Sequence, residues 1–347
     1  MKPGRIVIGI LALALVGVLS GESVVASTDA RPDGRWFAPR SPLNTPIPAN
    51  AAVDPRSPQM VAGVLHASQA RGWAIAVKRW TVPVYYANDR TPRRQVRLTA
   101  GWRSRNEMRG VPIPDEARPD PGSSSGTDGH MAVIDRRRGC FYEFYEAERG
   151  PDGTWSARWA NRGPLSGTGI QPGGRSTRAS GFVNFAGLIR PVELRGGAIR
   201  HALTFGYPFT KDGGPVRPAT DSDGRPSTQD GWGGLARPEG TLPIPQGARL
   251  QLDPALDLGA LGLLPWQKVV ARALQVYGMF LADTSGNLSL AAVGAQSFRS
   301  NPYAAFWGDE PYAYLPPTLA QHLRVLRLPP QAKRRTFVAP SRCAAMR

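Results

Sequence analysis

Residues that usually carry chemistry are scarce in this chain. It has two cysteines, Cys140 and Cys343, and four histidines. Two cysteines exclude a disulfide-built scaffold, so stability has to come from a packed core. In an oxidising compartment the pair forms one disulfide that ties the C-terminal tail to a central strand; the alternative is two free thiols. There is no zinc-finger spacing and no His-Glu-x-x-His, which argues against a bound metal. Asp221-Ser222-Asp223-Gly224 matches part of a calcium loop but lacks the remaining ligands and the closing Glu, so it reads as a solvated turn. Gly-x-Ser-x-Gly is absent. The glycines at 167, 169, 173 and 174 are not followed by a helical pattern, so neither a nucleophile elbow nor a phosphate loop is indicated and no cofactor is expected. Helix-turn-helix and RNA-binding aromatic signatures are missing too, against sequence-specific nucleic-acid binding.

Long apolar runs are also missing. The strongest, Ile6 to Leu19, falls short of the roughly 20 residues that span a bilayer. Lys2 and Arg5 precede it, and Ser23-Val24-Val25-Ala26 offers small residues for cleavage after Ala26. Residues 1–26 therefore read as a signal peptide, with no integral membrane segment after its removal. The expected location is secreted or periplasmic.

Negative charge is in deficit: 26 acidic residues stand against 43 basic ones, a net charge of +17. Such a balance favours anionic partners. Nearly all the basic residues are Arg, however, in a chain rich in Ala, Gly and Pro, the mark of a GC-rich genome. The charge is also scattered; the densest runs are 136–138 and 333–335.

Residues 27–44 are polar and Pro-rich and read as a leader, 45–328 as a single β-rich domain, and 329–347 as a basic tail. Ser57-Pro58 starts one helix. Trp266, Val269, Val270, Ala273, Leu274 and Tyr277 form the apolar stripe of a second, and a helical turn covers 191–194. Most other segments read as short strands between Gly/Pro turns: 73–86, a hairpin of 130–135 with 140–147, 154–159, 200–209, and a hairpin of 279–282 with 288–293. This pattern predicts a mainly β fold, a β-sandwich or jelly-roll-like domain with two or three packed helices.

A motif recurs three times: Thr45-Pro46-Ile47-Pro48, Val111-Pro112-Ile113-Pro114 and Leu242-Pro243-Ile244-Pro245. An Ala (Ala51, Ala117, Ala248) and an Asp-Pro (Asp54, Asp120, Asp253) follow each copy. Pro fixes φ and removes a donor, so these are extended edge segments that lead into a turn. Together with PIPDEARPDPGSSSGTDGHMAVID, HALTFGYPF, PIPQGARLQLDPALD and SNPY, they resemble a family of secreted proteins from GC-rich soil bacteria. That resemblance implies export and one domain; it carries no activity or site residue.

Among candidate site residues, His130 opens a strand after Asp128-Gly129. His201 shares a strand face with Leu203, Phe205 and Tyr207. Glu143 and Glu146 point to opposite sheet faces. They therefore cannot form the close carboxyl pair, roughly 5–5.5 Å apart, of a retaining glycosidase. Trp155 and Trp159 share a face suited to stacking on sugar rings, with Tyr145 nearby. The leading expectation is a carbohydrate-active protein that binds or cleaves a polysaccharide. Lyase chemistry on an acidic polymer fits best, with His201, His130, Tyr207 and Glu143 as candidate acid/base groups and Arg158 as the cation. The alternative is a non-catalytic envelope or matrix protein that adheres to cell-wall glycans.

Overall fold

The computed structural model describes residues 35–101, 105–121, 126–225, 231–333 and Cys343. The segment read as a signal peptide lies outside them. Strand outweighs helix, 29% against 17%, and the strands form two packed sheets, a β-sandwich. Among the described residues no helix is long and apolar enough to cross a membrane.

The first sheet has seven strands: β1 (Trp73–Ala76), β8 (Leu203–Tyr207), β9 (Arg249–Leu252), β10 (Met279–Thr284), β11 (Leu288–Ala291), β12 (Tyr312–Leu315) and β13 (Leu323–Val325). Their spatial order is β12-β1-β11-β8-β10-β9-β13. The second has six: β2 (Val84–Ala87), β3 (Arg93–Leu98), β4 (Glu107–Pro112), β5 (Met131–Asp135), β6 (Cys140–Arg149) and β7 (Trp155–Pro164), ordered β2-β5-β6-β7-β3-β4. Both sheets are mixed; β1–β11, β8–β10, β2–β5 and β3–β7 pair in parallel.

Helices α1 (Ser57–Arg71) and α3 (Pro265–Val276) supply Met60, Val61, Val64, Trp266, Val270 and Leu274 to the same core as Trp73, Ile75, Leu203, Phe205, Leu281, Leu288 and Leu290 of the seven-stranded sheet. Each such side chain, fully buried, contributes about 1.5–3 kcal/mol. Two shorter helices are α2 (Pro191–Arg195) and α4 (Ala304–Trp307). The opposite face of that sheet meets the six-stranded sheet through Phe280, Ala282, Val84, Ala132, Ile134 and Phe141.

Three features differ from the sequence reading. The stretch 73–86 is not one strand: β1 and β2 belong to different sheets. β10 and β11 do not pair as a hairpin, because β8 lies between them. The turn that joins them arches over Gly206, where a Cβ would stand 2.6 Å from the Cβ of Ser285. Finally, part of the stretch read as leader belongs to the folded domain. Trp36, Phe37 and Leu43 are buried in the core between the sheets. Cys140 and Cys343 form a disulfide, with Cα atoms 6.0 Å apart, which fixes the tail to the start of β6.

The recurring motif is a repeated backbone device. In each copy the Ile N–H donates to a distant carbonyl: Ile47 to Val276, Ile113 to Pro92, Ile244 to Phe209. The second Pro then accepts from the Ala three residues on, at 3.0, 3.0 and 3.1 Å. The Asp N–H donates to Val325, His130 or His322, each at 2.9 Å.

Phe185 joins the leader to the sandwich. It is fully buried, and its ring lies 5.2 Å from Trp36, 5.4 Å from Phe37 and 5.3 Å from Phe141. Phe185→Ala is expected to cost about 3–5 kcal/mol, read as a lowered midpoint in chemical unfolding.

Candidate functional site

Along the seven-stranded sheet, large side chains face the helices and small ones face away. The register aligns one cross-strand row on the outward face. Tyr314 pairs with Ala74, Ala74 with Ser289, Ser289 with Gly206, and Gly206 with Asp283. A second row holds Tyr312, Ala76 and Ala291. Because Ala, Ser and Gly project little, the face is a trough. It forms the floor of a groove of about 1240 Å³, walled on the six-stranded side by His130, Tyr145 and Trp159. Trp80, Trp232, Tyr312 and Tyr314 also line it; Trp80, Trp232 and Tyr314 are half exposed.

Asp283 reaches the groove through a β-bulge. Leu281 pairs with Phe205, but the next partner of β8 is Asp283, opposite Gly206. The extra residue turns the carboxylate to the trough side, a common use of bulges beside functional sites. Enclosure pushes the Asp283 pKa up to about 8; Arg178 opposes the shift, and Asp223 and Asp128 add to it. Arg178, nine-tenths buried, places Nε 3.6 Å from Asp283 Oδ2 and donates from Nη1 to Thr204 Oγ1 at 3.2 Å. Asp223 accepts from Gln246 Nε2 at 2.6 Å and Thr284 Oγ1 at 2.7 Å.

His130 sits just before β5. Its Nδ1 is 3.0 Å from the Phe144 carbonyl oxygen, which can only accept, so Nδ1 carries the proton. Nε2 of the neutral ring is then a free base, 3.8 Å from Asp128 Oδ2. Burial lowers the pKa of His130, with Asp128 opposing, so the neutral form is favoured.

Glu143 lies behind this wall, fully buried. Its Oε2 accepts from the Asn184 N–H at 2.8 Å and from Thr177 Oγ1 at 3.1 Å. Asn184 Nδ2 in turn donates to the carbonyls of Met131 and Phe144. These bonds fasten the segment that carries Arg178 to β5 and β6. Burial raises the Glu143 pKa to about 7.

Of the residues singled out from sequence, His130, Tyr145 and Trp159 line the groove, with Glu143 behind them. The others lie elsewhere. Arg158 pairs with Glu146 at 3.2 Å, and Trp155 is buried in the same cluster as Trp159 without lining the groove. His201 is buried against Glu193 of α2, Nε2 to Oε1 3.0 Å. Tyr207 points into the helix-side core, its hydroxyl against Gly63 of α1, and burial drives its pKa upward. Strand alternation alone points to the His201/Phe205/Tyr207 face of β8, whereas the groove uses the Thr204/Gly206 face. Asp283, Arg178, Asp223 and the rim residues Trp80, Trp232, Tyr312 and Tyr314 were missed. The signal that could have found the trough is the strands WAIA, LSLA and YAYL, where large residues alternate with small ones or with Tyr.

Among the described residues no group of three or more His, Cys, Asp or Glu is arranged to hold a metal ion. Comparison with family models, with curated proteins and with solved structures gives no match.

A carboxyl whose pKa is raised by folding stabilises the protein while protonated and loses that contribution as pH rises through the folded value. For Glu143 the window runs from its ordinary 4.5 to about 7. Glu143→Gln should therefore gain stability relative to wild type across that window, by up to about 3 kcal/mol, measured by urea unfolding from pH 4 to 8.

Proposed function

We propose that the protein is exported and that its groove binds a polysaccharide and cleaves it by acid/base chemistry. The observation that carries this reading is the opposite tuning of two groups in one groove. Near neutral pH Asp283 holds a proton and His130 lacks one, and both feel the same Arg178. Titratable groups pushed apart in this way mark the acid and the base.

β-Elimination on a uronate-bearing polymer suits the set best. His130 Nε2 takes the proton from the carbon beside the sugar carboxylate. The electron pair forms the C=C bond, the C–O bond to the leaving sugar breaks, and Asp283 protonates the leaving oxygen. With Asp283 protonated, the Arg178 charge is left to neutralise the substrate carboxylate as it gains enolate character. The exposed rim aromatics suit the apolar faces of sugar rings. They also support a second reading, a non-catalytic protein that adheres to cell-wall glycans.

The test is incubation with a panel of uronate polymers and neutral wall glycans, with chain length and the ultraviolet absorbance of unsaturated ends as readouts. Activity should fall above about pH 8, as Asp283 ionises, and on the acid side only at a pH lower than an ordinary imidazole would give, because burial holds the His130 pKa down. Asp283→Asn and His130→Ala should each lower kcat about 10²-fold or more. Binding without turnover by the wild-type protein would favour the adhesive reading; neither binding nor turnover would sink both.

A further inference from the structure

The trough extends well beyond the acid/base groups. Four interstrand steps of about 4.8 Å separate β12 from β10, so Tyr314 stands about 19 Å from Asp283 along the row. Between them lie Ala74 and Ser289 on the floor and Ser285, whose Cβ covers Gly206. That length exceeds what a disaccharide at Asp283 would cover.

Tyr314 is held as a fixed surface at the far end. Its backbone carbonyl accepts from Gln267 Nε2 of α3 at 3.0 Å. The Cδ1–Cε1 edge of its ring lies over Gly72, where any Cβ would sit 3.0 Å from both atoms, and Gly72 has φ +79°. The glycine therefore leaves room for the ring, which stays half exposed while its neighbours on β12, Ala313 and Leu315, are buried against the helices. A large, half-exposed aromatic at the end of a row of small residues is poorly accounted for by packing. It is well placed to stack on a ring that lies in the trough.

We infer that Tyr314 forms a remote sugar subsite that makes the groove select long chains over short ones, the polymer passing the Ser285 turn above β8 and then lying across β11, β1 and β12. This rests on the glycan reading of the groove and adds the direction of the chain and its preferred length. The occupant is an extended oligosaccharide, because one groove lined by Asp283, Ser285, Ser289 and Ala74 runs to an aromatic, Tyr314, at its far end.

The experiment uses oligogalacturonate and oligomannuronate ladders from disaccharide to octasaccharide, with turnover and equilibrium binding measured for wild type, Tyr314→Ala and Tyr314→Phe. In wild type kcat/KM should climb with chain length until the chain reaches Tyr314. Tyr314→Ala should lower the ratio of octasaccharide to disaccharide kcat/KM about tenfold, and Tyr314→Phe, which keeps the ring, should restore it. Turnover with the same chain-length dependence in wild type and Tyr314→Ala overturns the subsite and leaves the glycan reading standing. Failure of every oligomer both to bind and to be cleaved overturns the glycan reading and the subsite with it.

Discussion

The register of the seven-stranded sheet is the constraint on which the rest depends. A strand's side chains alternate strictly, so one face can be large only if the other is populated independently. Here the helix-facing positions carry Trp73, Ile75, Leu203, Phe205, Leu281, Leu288 and Leu290, and these fix α1 and α3 against the sheet. With the core satisfied on that side, Ala74, Ala76, Gly206, Ser289 and Ala291 are free to be small and leave a trough. A slip of one residue in any of these strands would put leucine into the groove and alanine into the core. The single register shift in this sheet, in β10, falls where a charged group has to be turned into the trough. Gly206 opposite it also accommodates the turn that joins β10 to β11.

Glu143 ties that sheet's groove to the other sheet. A buried carboxylate is costly to ionise, and one placed purely for stability would be replaced to advantage by an apolar side chain. Its bonds to Thr177 and Asn184 instead secure a long glycine-rich segment that has no sheet of its own. That segment delivers Arg178 to Asp283, and Asn184 shares the Phe144 carbonyl with His130. Positions of the cation and the base thus trace to neighbouring atoms of β6.

Local features were legible in the sequence and non-local ones were not. The two main helices show because Ser57-Pro58 and the Trp266 stripe are short-range signals, and the β5–β6 hairpin shows because its turn is local. His130 shows because it opens that hairpin, Tyr145 because it lies in its second strand, and Trp159 because parity puts it on one strand face with Trp155. Strand parity was legible but not its sense: alternation puts His201 and Tyr207 on one face of β8 without saying that this face meets α1. Asp283 was read as a turn residue because a bulge is a property of a pair of strands, and β8 lies 76 residues before β10 by numbering of Leu203 and Met279. The insertion of β8 between β10 and β11 was hidden for the same reason.

The recurring Pro-Ile-Pro device shows how a structural element can come to serve a site. All three copies join an Asp N–H to another strand end. In the first, the Asp54 carboxylate accepts from the nearby Arg56 and from Leu328. In the second, the Asp120 N–H holds the His130 carbonyl, while its carboxylate accepts from the Trp80 N–H at 3.1 Å. Trp80 has φ 58°, a conformation that costs a non-glycine residue on the order of 1 kcal/mol or more and persists only where surroundings impose it. Packing does not reward it, since the indole is half exposed on the groove rim. The bond from Asp120 does impose it, so one aspartate sets both the backbone of the proposed base and the stance of an aromatic on the rim. The same local motif that only closes an edge elsewhere here fixes two parts of the groove relative to each other.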